Sequence, residues 1–491
     1  MGWGMKCNAA VKFVLVVSII ALAGCSGLPN GGGTGPGGQN ANLAVTMTSK
    51  PSVSLSNISV ISAAVGITGI TFTPSTGTPV ALTLTPTVYP VDLSRLQSDT
   101  AFLGSLSLPA DTYTSASVTF SAPVLTILNE TGATLNGNCP SATICQITLT
   151  AGSAQVSTAP FPLTLTSAQN TGVSLNVNLD TALTVASNTL ALNFSGVGVF
   201  TAAALPRTGA PSGSLDLIED FVGTVTAKGS TSLTVLSANG TSLVLTLPAS
   251  PVIEDPQGLC PALDATCLVV NQTVVSVDAT VGTTGTLTLT SADLLDAAPS
   301  NEVEGTLLAN GTPGQFFLVV ANKVVGGTAN ATLSAAATGD IFLVTLNNPI
   351  FIVDTDEFTG NASLPASTVT TLFTSEADLV DGQDVMVHAT AATGTAANGN
   401  QALTADVVRL RFTRTTGTVQ SVSGSAISLG NLPPLLPFIT NPLAQTITGA
   451  TSFDGVTDVN SLTAANTVSI RALLLNNSAF SFYAAKVRLQ P

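Results

Sequence analysis

Val173-Ser174-Leu175-Asn176-Val177-Asn178-Leu179-Asp180 sets the terms on which the rest of the chain is read. Val173, Leu175, Val177 and Leu179 alternate with Ser174, Asn176, Asn178 and Asp180. A strand sends successive side chains to opposite faces, so this period of two puts apolar groups on one side and polar groups on the other. Outward from it, Val80-Ala81-Leu82-Thr83-Leu84 alternates in the same way. Ser115 to Phe120 does so after Pro109-Ala110-Asp111-Thr112-Tyr113, and Leu55 to Phe72 carries several short apolar segments. No helical pattern of similar length breaks the series. Short strands divided by turn residues predict a β-sandwich over residues 42–205.

Composition agrees with that class. Only 8% of the 491 residues are charged. Mean hydropathy is +0.49, yet the apolar residues are dispersed among Thr and Ser, as in half-buried strands. The length suggests three or four domains. A net charge of −14 and a pI near 4.2 oppose binding to nucleic acid or to an anionic membrane surface.

Pro206 to Gly213 reads as a linker. Beyond it, four landmarks recur in one order. Gly223-Thr224-Val225, Gly305-Thr306-Leu307 and Gly417-Thr418-Val419 open three segments. Val252-Ile253-Glu254, Ile352-Val353-Asp354 and Ser452-Phe453-Asp454 run into an acid. Val275-Ser276-Val277, Val385-Met386-Val387 and Val468-Ser469-Ile470 follow. Ala292-Asp293-Leu294, Ala405-Asp406-Val407 and Ala485-Lys486-Val487 close them. Ordered recurrence predicts three tandem modules over 219–299, 300–413 and 414–491, after a linker at 206–218. Leu432-Pro433-Pro434-Leu435-Leu436-Pro437 is an insertion in the third.

At the other end, Lys6 and Lys12 precede the apolar run Phe13 to Ala23, which ends in Leu22-Ala23-Gly24-Cys25. The run is shorter than the roughly 20 residues a spanning helix needs. Charge, apolar core and Leu-Ala-Gly-Cys in this order resemble the lipobox of bacterial lipoprotein precursors. That resemblance implies a signal peptide over 1–24, S-diacylation of Cys25, cleavage before it and acylation of the new amine. Ser26 in place of an aspartate implies an outer-membrane destination in a two-membrane cell. Stable anchoring follows, since acyl chains add about 0.8 kcal/mol per buried CH₂. Residues 25–41, with the Gly-rich Asn30 to Gly38, form a tether. Its formal Gly33-x-Gly35-x-x-Gly38 lacks the preceding strand that a dinucleotide site needs.

Two further resemblances concern the body of the chain. Val91-Asp92-Leu93-x-x-Leu96, Leu106-Ser107-Leu108-Pro109-Ala110-Asp111-Thr112-Tyr113-Thr114 and Asn178-Leu179-Asp180 resemble an uncharacterised domain family of bacterial lipoproteins. Asp111 stands where that family usually has Gly. The tandem segments resemble a second uncharacterised family, of small β-barrel modules, through Gly-x-Val openings and Val380-Asp381-Gly382-Gln383-Asp384-Val385-Met386-Val387. The other two copies lack that Gly. Neither family brings a known activity.

By the lipobox resemblance, signal cleavage would remove Cys7 and lipid would occupy Cys25, leaving Cys139, Cys145, Cys260 and Cys267. An even count in an exported chain predicts the disulfides Cys139–Cys145 and Cys260–Cys267. Loops this short gain about 2 kcal/mol each. A four-cysteine zinc site lacks the usual C-x₂₋₄-C spacing.

Catalytic chemistry finds little material. His388 is the single histidine, placed by alternation on the face of Met386 and opposite Val385 and Val387. No Gly-x-Ser-x-Gly elbow partners it, and one histidine excludes a histidine-rich metal site. Glu219-Asp220, Glu254-Asp255 and Asp354-x-Asp356-Glu357 are the paired carboxylates a glycosidase would need, and also what solvated strand ends look like. Asp354, Asp356 and Glu357 are weak calcium candidates without EF-hand spacing. Trp3 leaves with the signal. Tyr89, Tyr113 and Tyr483 are the remaining large polar aromatics, with Tyr113 expected to pack.

The sequence therefore predicts an all-β, lipid-anchored envelope protein. An N-terminal β-sandwich nearest the membrane would carry three small β-barrel or β-sandwich modules outward. The expected role is structural, adhesive or binding, without catalysis, cofactor or metal. An envelope protein or a polysaccharide would be the partner, and nucleic acid is excluded. The alternative is a glycan-binding or glycan-active envelope protein.

Overall fold

The period of two becomes two facing sheets in the computed structural model. It describes residues 40–490 apart from 52–54, 56, 206–213, 256, 283–284, 299, 327–330, 356–357, 359–370, 395–400, 437–441 and 477–480. Asn170–Asn178 runs parallel to Asn40–Lys50 and antiparallel to Phe200–Leu205; Ala101–Pro109 completes this smaller sheet. The larger sheet is built on the 17-residue strand Ile58–Pro74, flanked by Thr112–Phe120 and Val124–Asn129. Val173, Leu175 and Val177 are fully buried and share one core with Phe72, Val118 and Ile127. Tyr113 packs as expected: its side chain is buried and its hydroxyl donates to the Pro109 carbonyl at 3.0 Å. This four-residue back-bond acts as a tyrosine corner.

The polar face of the alternation is not left to water. Ala44, Phe102 and Leu205, on the reverse of the smaller sheet, join the core of the first tandem module. Thr46 and Ser174, paired in register on that reverse face, are buried with them.

Each tandem module closes into a five-stranded barrel. In barrel 2 the strands are Asn301–Ala309, Gln315–Val325, Ile341–Val353, Asp384–Thr393 and Gln401–Leu410. The first three form a meander, the third pairs parallel with the fifth, and the fourth closes onto the first. Barrel 1 repeats this ring with Ser214–Lys228, Ser232–Leu236, Ser242–Thr246, Val274–Gly282 and Leu287–Asp296. Barrel 3 does so with Thr413–Ser423, Ala426–Gly430, Leu443–Thr446, Thr467–Leu474 and Phe482–Leu489. In both, a second piece of the third strand, Val252–Glu254 or Ser452–Asp454, rejoins the fifth strand further along. Barrel 2 keeps one long third strand with a register shift between Leu346 and Ile350. A closed Greek-key ring of five strands is the architecture of OB-type barrels, and closure removes edges that would invite aggregation.

The repeated glycine has a steric cause. A Cβ at Gly223 would lie 2.5 Å from the Leu236 carbonyl oxygen, and one at Gly417 3.0 Å from that of Gly430. At Gly305 it would collide with the Val319 carbonyl. The second glycine, Gly382, has a counterpart in every copy although the residue type changes. Gly382 (φ 82°), Asn271 (φ 59°) and Ala465 (φ 72°) are all left-handed. Their N–H groups donate to Leu307, Val225 and Val419, each two residues past the first-strand glycine. The backbone conformation is what the repeat retains; Asn tolerates it, and Ala adopts it at a cost.

The pairing also re-registers two landmarks. Gly223, Gly305 and Gly417 face Val275, Val385 and Val468, which in turn face Leu294, Leu410 and Leu489. Ala292-Asp293-Leu294 is thus equivalent to Val408-Arg409-Leu410 and Val487-Arg488-Leu489, not to the Ala-x-hydrophobic triplets expected. Likewise Glu254 and Asp454 pair with Asp293 and Arg488, whereas Ile352, not Asp354, pairs with Arg409. A period-two sequence matches itself at every second residue, so pattern alone does not fix register.

The modules are not strung outward from the sandwich. Residues 38–491 form one compact unit. Leu435, from the proline-rich insertion of barrel 3, lies in one cluster with Ile61 of the sandwich and Leu308 and Val319 of barrel 2. Its N–H donates to Ser59 Oγ at 2.7 Å. The expected outward array is replaced by packing around the charged junction described next.

Candidate functional site

Arg95, Arg409, Arg411, Arg414, Arg471 and Arg488, six of the chain's seven arginines, converge where the four domains meet. The sandwich supplies its share from the 3-10 turn Arg95–Gln97. Asp92 builds that turn: Oδ1 accepts from the N–H groups of Ala63 (2.8 Å) and Ser94 (2.9 Å), while Oδ2 accepts from Ser62 Oγ at 2.7 Å. Val91, Leu93 and Leu96 anchor it in the core. The Val-Asp-Leu-x-x-Leu motif is thus a docking device. It directs Arg95 to Glu304 of barrel 2 at 2.6 Å, Asp99 to Arg414 of barrel 3 at 2.6 Å, and Gln97 to Thr416 at 2.6 Å.

Asp220 is the centre. It sits in a left-handed bulge of barrel 1 and pairs with Arg411, Arg414 and, at 2.7 Å, Arg471. Burial opposes its ionisation, but Arg411, Arg471, Arg414 and Arg95 outweigh burial and hold the carboxyl well below its ordinary value. Asp99 and Glu304 are lowered by the same contest. Asp278 and Asp293 go the other way. Burial prevails over Arg471 for Asp278, pushing it up to about 6, and over Arg409 and Arg411 for Asp293.

Three equivalent positions account for most of this junction. They are the residue three before the first-strand glycine, the residue three after the fourth-strand valine, and the residue before the fifth-strand leucine. In barrel 1 they are Asp220, Asp278 and Asp293. In barrel 3 they are Arg414, Arg471 and Arg488. In barrel 2 they are Glu302, His388 and Arg409. One barrel presents acids, one arginines, and the middle one both.

His388 lies at the rim of this arrangement. Val385 and Val387 point into barrel 2 and Met386 packs outside against Val222, Val274 and Leu295, as alternation predicts. His388 Nδ1 is 2.6 Å from Asp406 Oδ1, with 31% of its side chain exposed. Ligand atoms of His388, Glu302 and Asp296 lie within 4.8 Å of one another. Burial lowers the His388 pKa, but the Asp406 hydrogen bond, Glu302 and Asp296 together raise it above its ordinary value. Burial pushes Glu302 up to about 7 against the pull of Arg409 and His388.

The other expected site residues take structural places. Cys139–Cys145 and Cys260–Cys267 are disulfides, with Cα separations of 5.6 and 5.7 Å. Asp255 accepts from the N–H groups of Leu259 (2.8 Å) and Cys260 (2.6 Å), so it shapes the second loop. Asp354 is fully buried and pairs with Arg411, which engages its carboxylate. Glu219 pairs with Lys486 at 2.8 Å. Tyr89 donates to the Phe102 carbonyl at 2.9 Å and Tyr483 is buried. Cys25, the tether as far as residue 39, Pro206 to Gly213, Asp356 and Glu357 lie outside the described residues; Asn40 and Ala41, expected to end the tether, already belong to the strand Asn40–Lys50. The arginine junction was not anticipated from sequence. Its signal is Arg409-x-Arg411-x-x-Arg414, three of seven arginines at one module boundary.

A cleft of about 590 Å³ lies between the sandwich, barrel 1 and barrel 2. Gln146, Asn239, Asn322, Lys323 and Asp340 give it polar walls, with Val88 at its edge. Among the described residues, no helix is long and apolar enough to cross a membrane. Neither a known protein family nor a curated protein matches the chain.

Proposed function

We propose that this chain is a lipid-anchored cell-envelope protein whose β body serves a structural, adhesive or binding role without catalysis. The observation that carries the reading is the junction. It spends nearly every arginine on locking four β domains into one unit, which suits a rigid presented body. The Leu22 to Cys25 sequence supplies the anchor and the route to the outer membrane. Palmitate labelling with cell fractionation tests this: the wild type labels and fractionates with membranes, and Cys25→Ser does neither. Continued labelling of Cys25→Ser would sink the anchor.

The cleft favours a second reading, glycan binding. Its size fits a ligand site, and its amide side chains are hydrogen-bonding groups suited to hydroxyls. A polysaccharide panel screened with the mature chain separates the two. Saturable binding lost in Asn239→Ala and Asn322→Ala supports the glycan reading, and no binding across the panel leaves the structural one.

A further inference from the structure

We propose that Asp296, Glu302 and His388 form a binding site for one divalent first-row transition metal ion of the zinc type, at the seam between barrels 1 and 2. Asp296 is the last residue of barrel 1's fifth strand. Glu302 and His388 face each other in register on the first and fourth strands of barrel 2. Two rigid barrels therefore set the three ligands, with no loop required to order.

The geometry is near that of a metal site. The ligand atoms lie within 4.8 Å of one another. Bonds of about 2.0–2.2 Å place tetrahedral ligands roughly 3.3–3.5 Å apart, so small rotations about side-chain bonds close the set. Asp406 supplies the outer partner. Its carboxylate, 2.6 Å from Nδ1, keeps a proton there and leaves Nε2 with a lone pair, the carboxylate–histidine–metal arrangement. The same bond fixes the ring plane.

Charge gives an independent reason. Asp296, Glu302 and Asp406 surround a single imidazole, and the cation acting on Glu302 besides His388 is Arg409, which is also committed to Asp293 at 3.2 Å. A dication supplies the missing positive charge to a carboxylate that is only 6% exposed. An imidazole with carboxylates suits zinc and its neighbours better than calcium or magnesium. His388, with about a third of its side chain exposed, leaves a route in and room for water on the remaining coordination positions.

The test uses the mature chain with both disulfides intact, stripped with chelator and dialysed. Zn²⁺ is titrated by calorimetry, and Co²⁺ by its visible absorption. One equivalent should bind. His388→Gln should weaken zinc by roughly 100-fold and Asp406→Asn by about 10–100-fold. Saturating Zn²⁺ should raise the thermal midpoint of the wild type and not that of His388→Gln. If His388→Gln fails to fold by circular dichroism, Asp296→Asn, at the strand end, carries the same comparison. No stoichiometric binding overturns the proposal. So does equal affinity in the variants, or weak uptake at several sites, which marks nonspecific attraction to an acidic surface.

Discussion

Barrels 1 and 3 share one topology and one set of backbone constraints, yet differ at three equivalent positions by the sign of their charge. Asp220, Asp278 and Asp293 stand where barrel 3 has Arg414, Arg471 and Arg488. A repeat that presented the same outward face in every copy would pack equally well against any neighbour. Opposite charges make the contact between them specific, and like charges placed together would be costly. Buried ion pairs are weak sources of net stability but break severely when one partner is lost. The junction therefore acts as an address for each barrel more than as a reservoir of stability.

The largest effect comes from erasing the difference. Arg471→Asp gives barrel 3 the residue type of barrel 1 beside Asp220 (2.7 Å) and Glu219 (3.3 Å). Urea unfolding should show a loss of at least about 3–5 kcal/mol, a large share of ordinary stability. Arg471→Met, which keeps the stem and drops the charge, should lose less.

Barrel 2 offers the next test, since it holds the mixed set. The pKa of Glu302 rises from 4.5 to about 7 on folding. A raised carboxyl contributes stability below its unfolded pKa and loses it as pH climbs through the folded one. With chelator present, wild-type stability should fall between about pH 4.5 and 7. Glu302→Gln should flatten that slope and be the more stable form at pH 8, by up to about 3 kcal/mol.

Barrel 1 also has a staple that barrel 3 lacks. Replacing Cys260 and Cys267 by Ser should cost about 2 kcal/mol, read as a shifted urea midpoint with the junction unchanged. The smallest effect lies at the shared left-handed position. Ala465→Gly in barrel 3 should gain up to about 1 kcal/mol, because Gly meets φ 72° without strain. The equivalent Asn271→Gly in barrel 1 should gain less.

Strands were legible because each sheet keeps one apolar face, so Val173, Leu175 and Val177 declared themselves. The repeat was legible because Gly223, Gly305 and Gly417 have no room for a Cβ. Register was not legible, since period two matches itself at every second residue. Nor was the covering of the outer faces: Ala44 is small and apolar, Thr46 and Ser174 small and mildly polar, and such residues look the same whether they face water or another domain. Asp354, Asp356 and Glu357 are dense in sequence, which is what makes them look like a calcium cluster, but Asp354 serves Arg411. Asp296, Glu302 and His388 are distant in sequence and meet only through the barrel register. An arginine-poor chain that gathers Arg409, Arg411 and Arg414 was the one written clue to the junction.

A double-mutant cycle between Asp220 of barrel 1 and Arg471 of barrel 3 tests the central claim most directly. Asp220→Asn, Arg471→Met and the double variant are unfolded in urea at pH 7. Charge-matched docking predicts a coupling energy of about 2 kcal/mol or more, the two losses being far from additive. Additivity within about 0.5 kcal/mol would contradict it, and would mean that the barrels hold together without reading one another's charge.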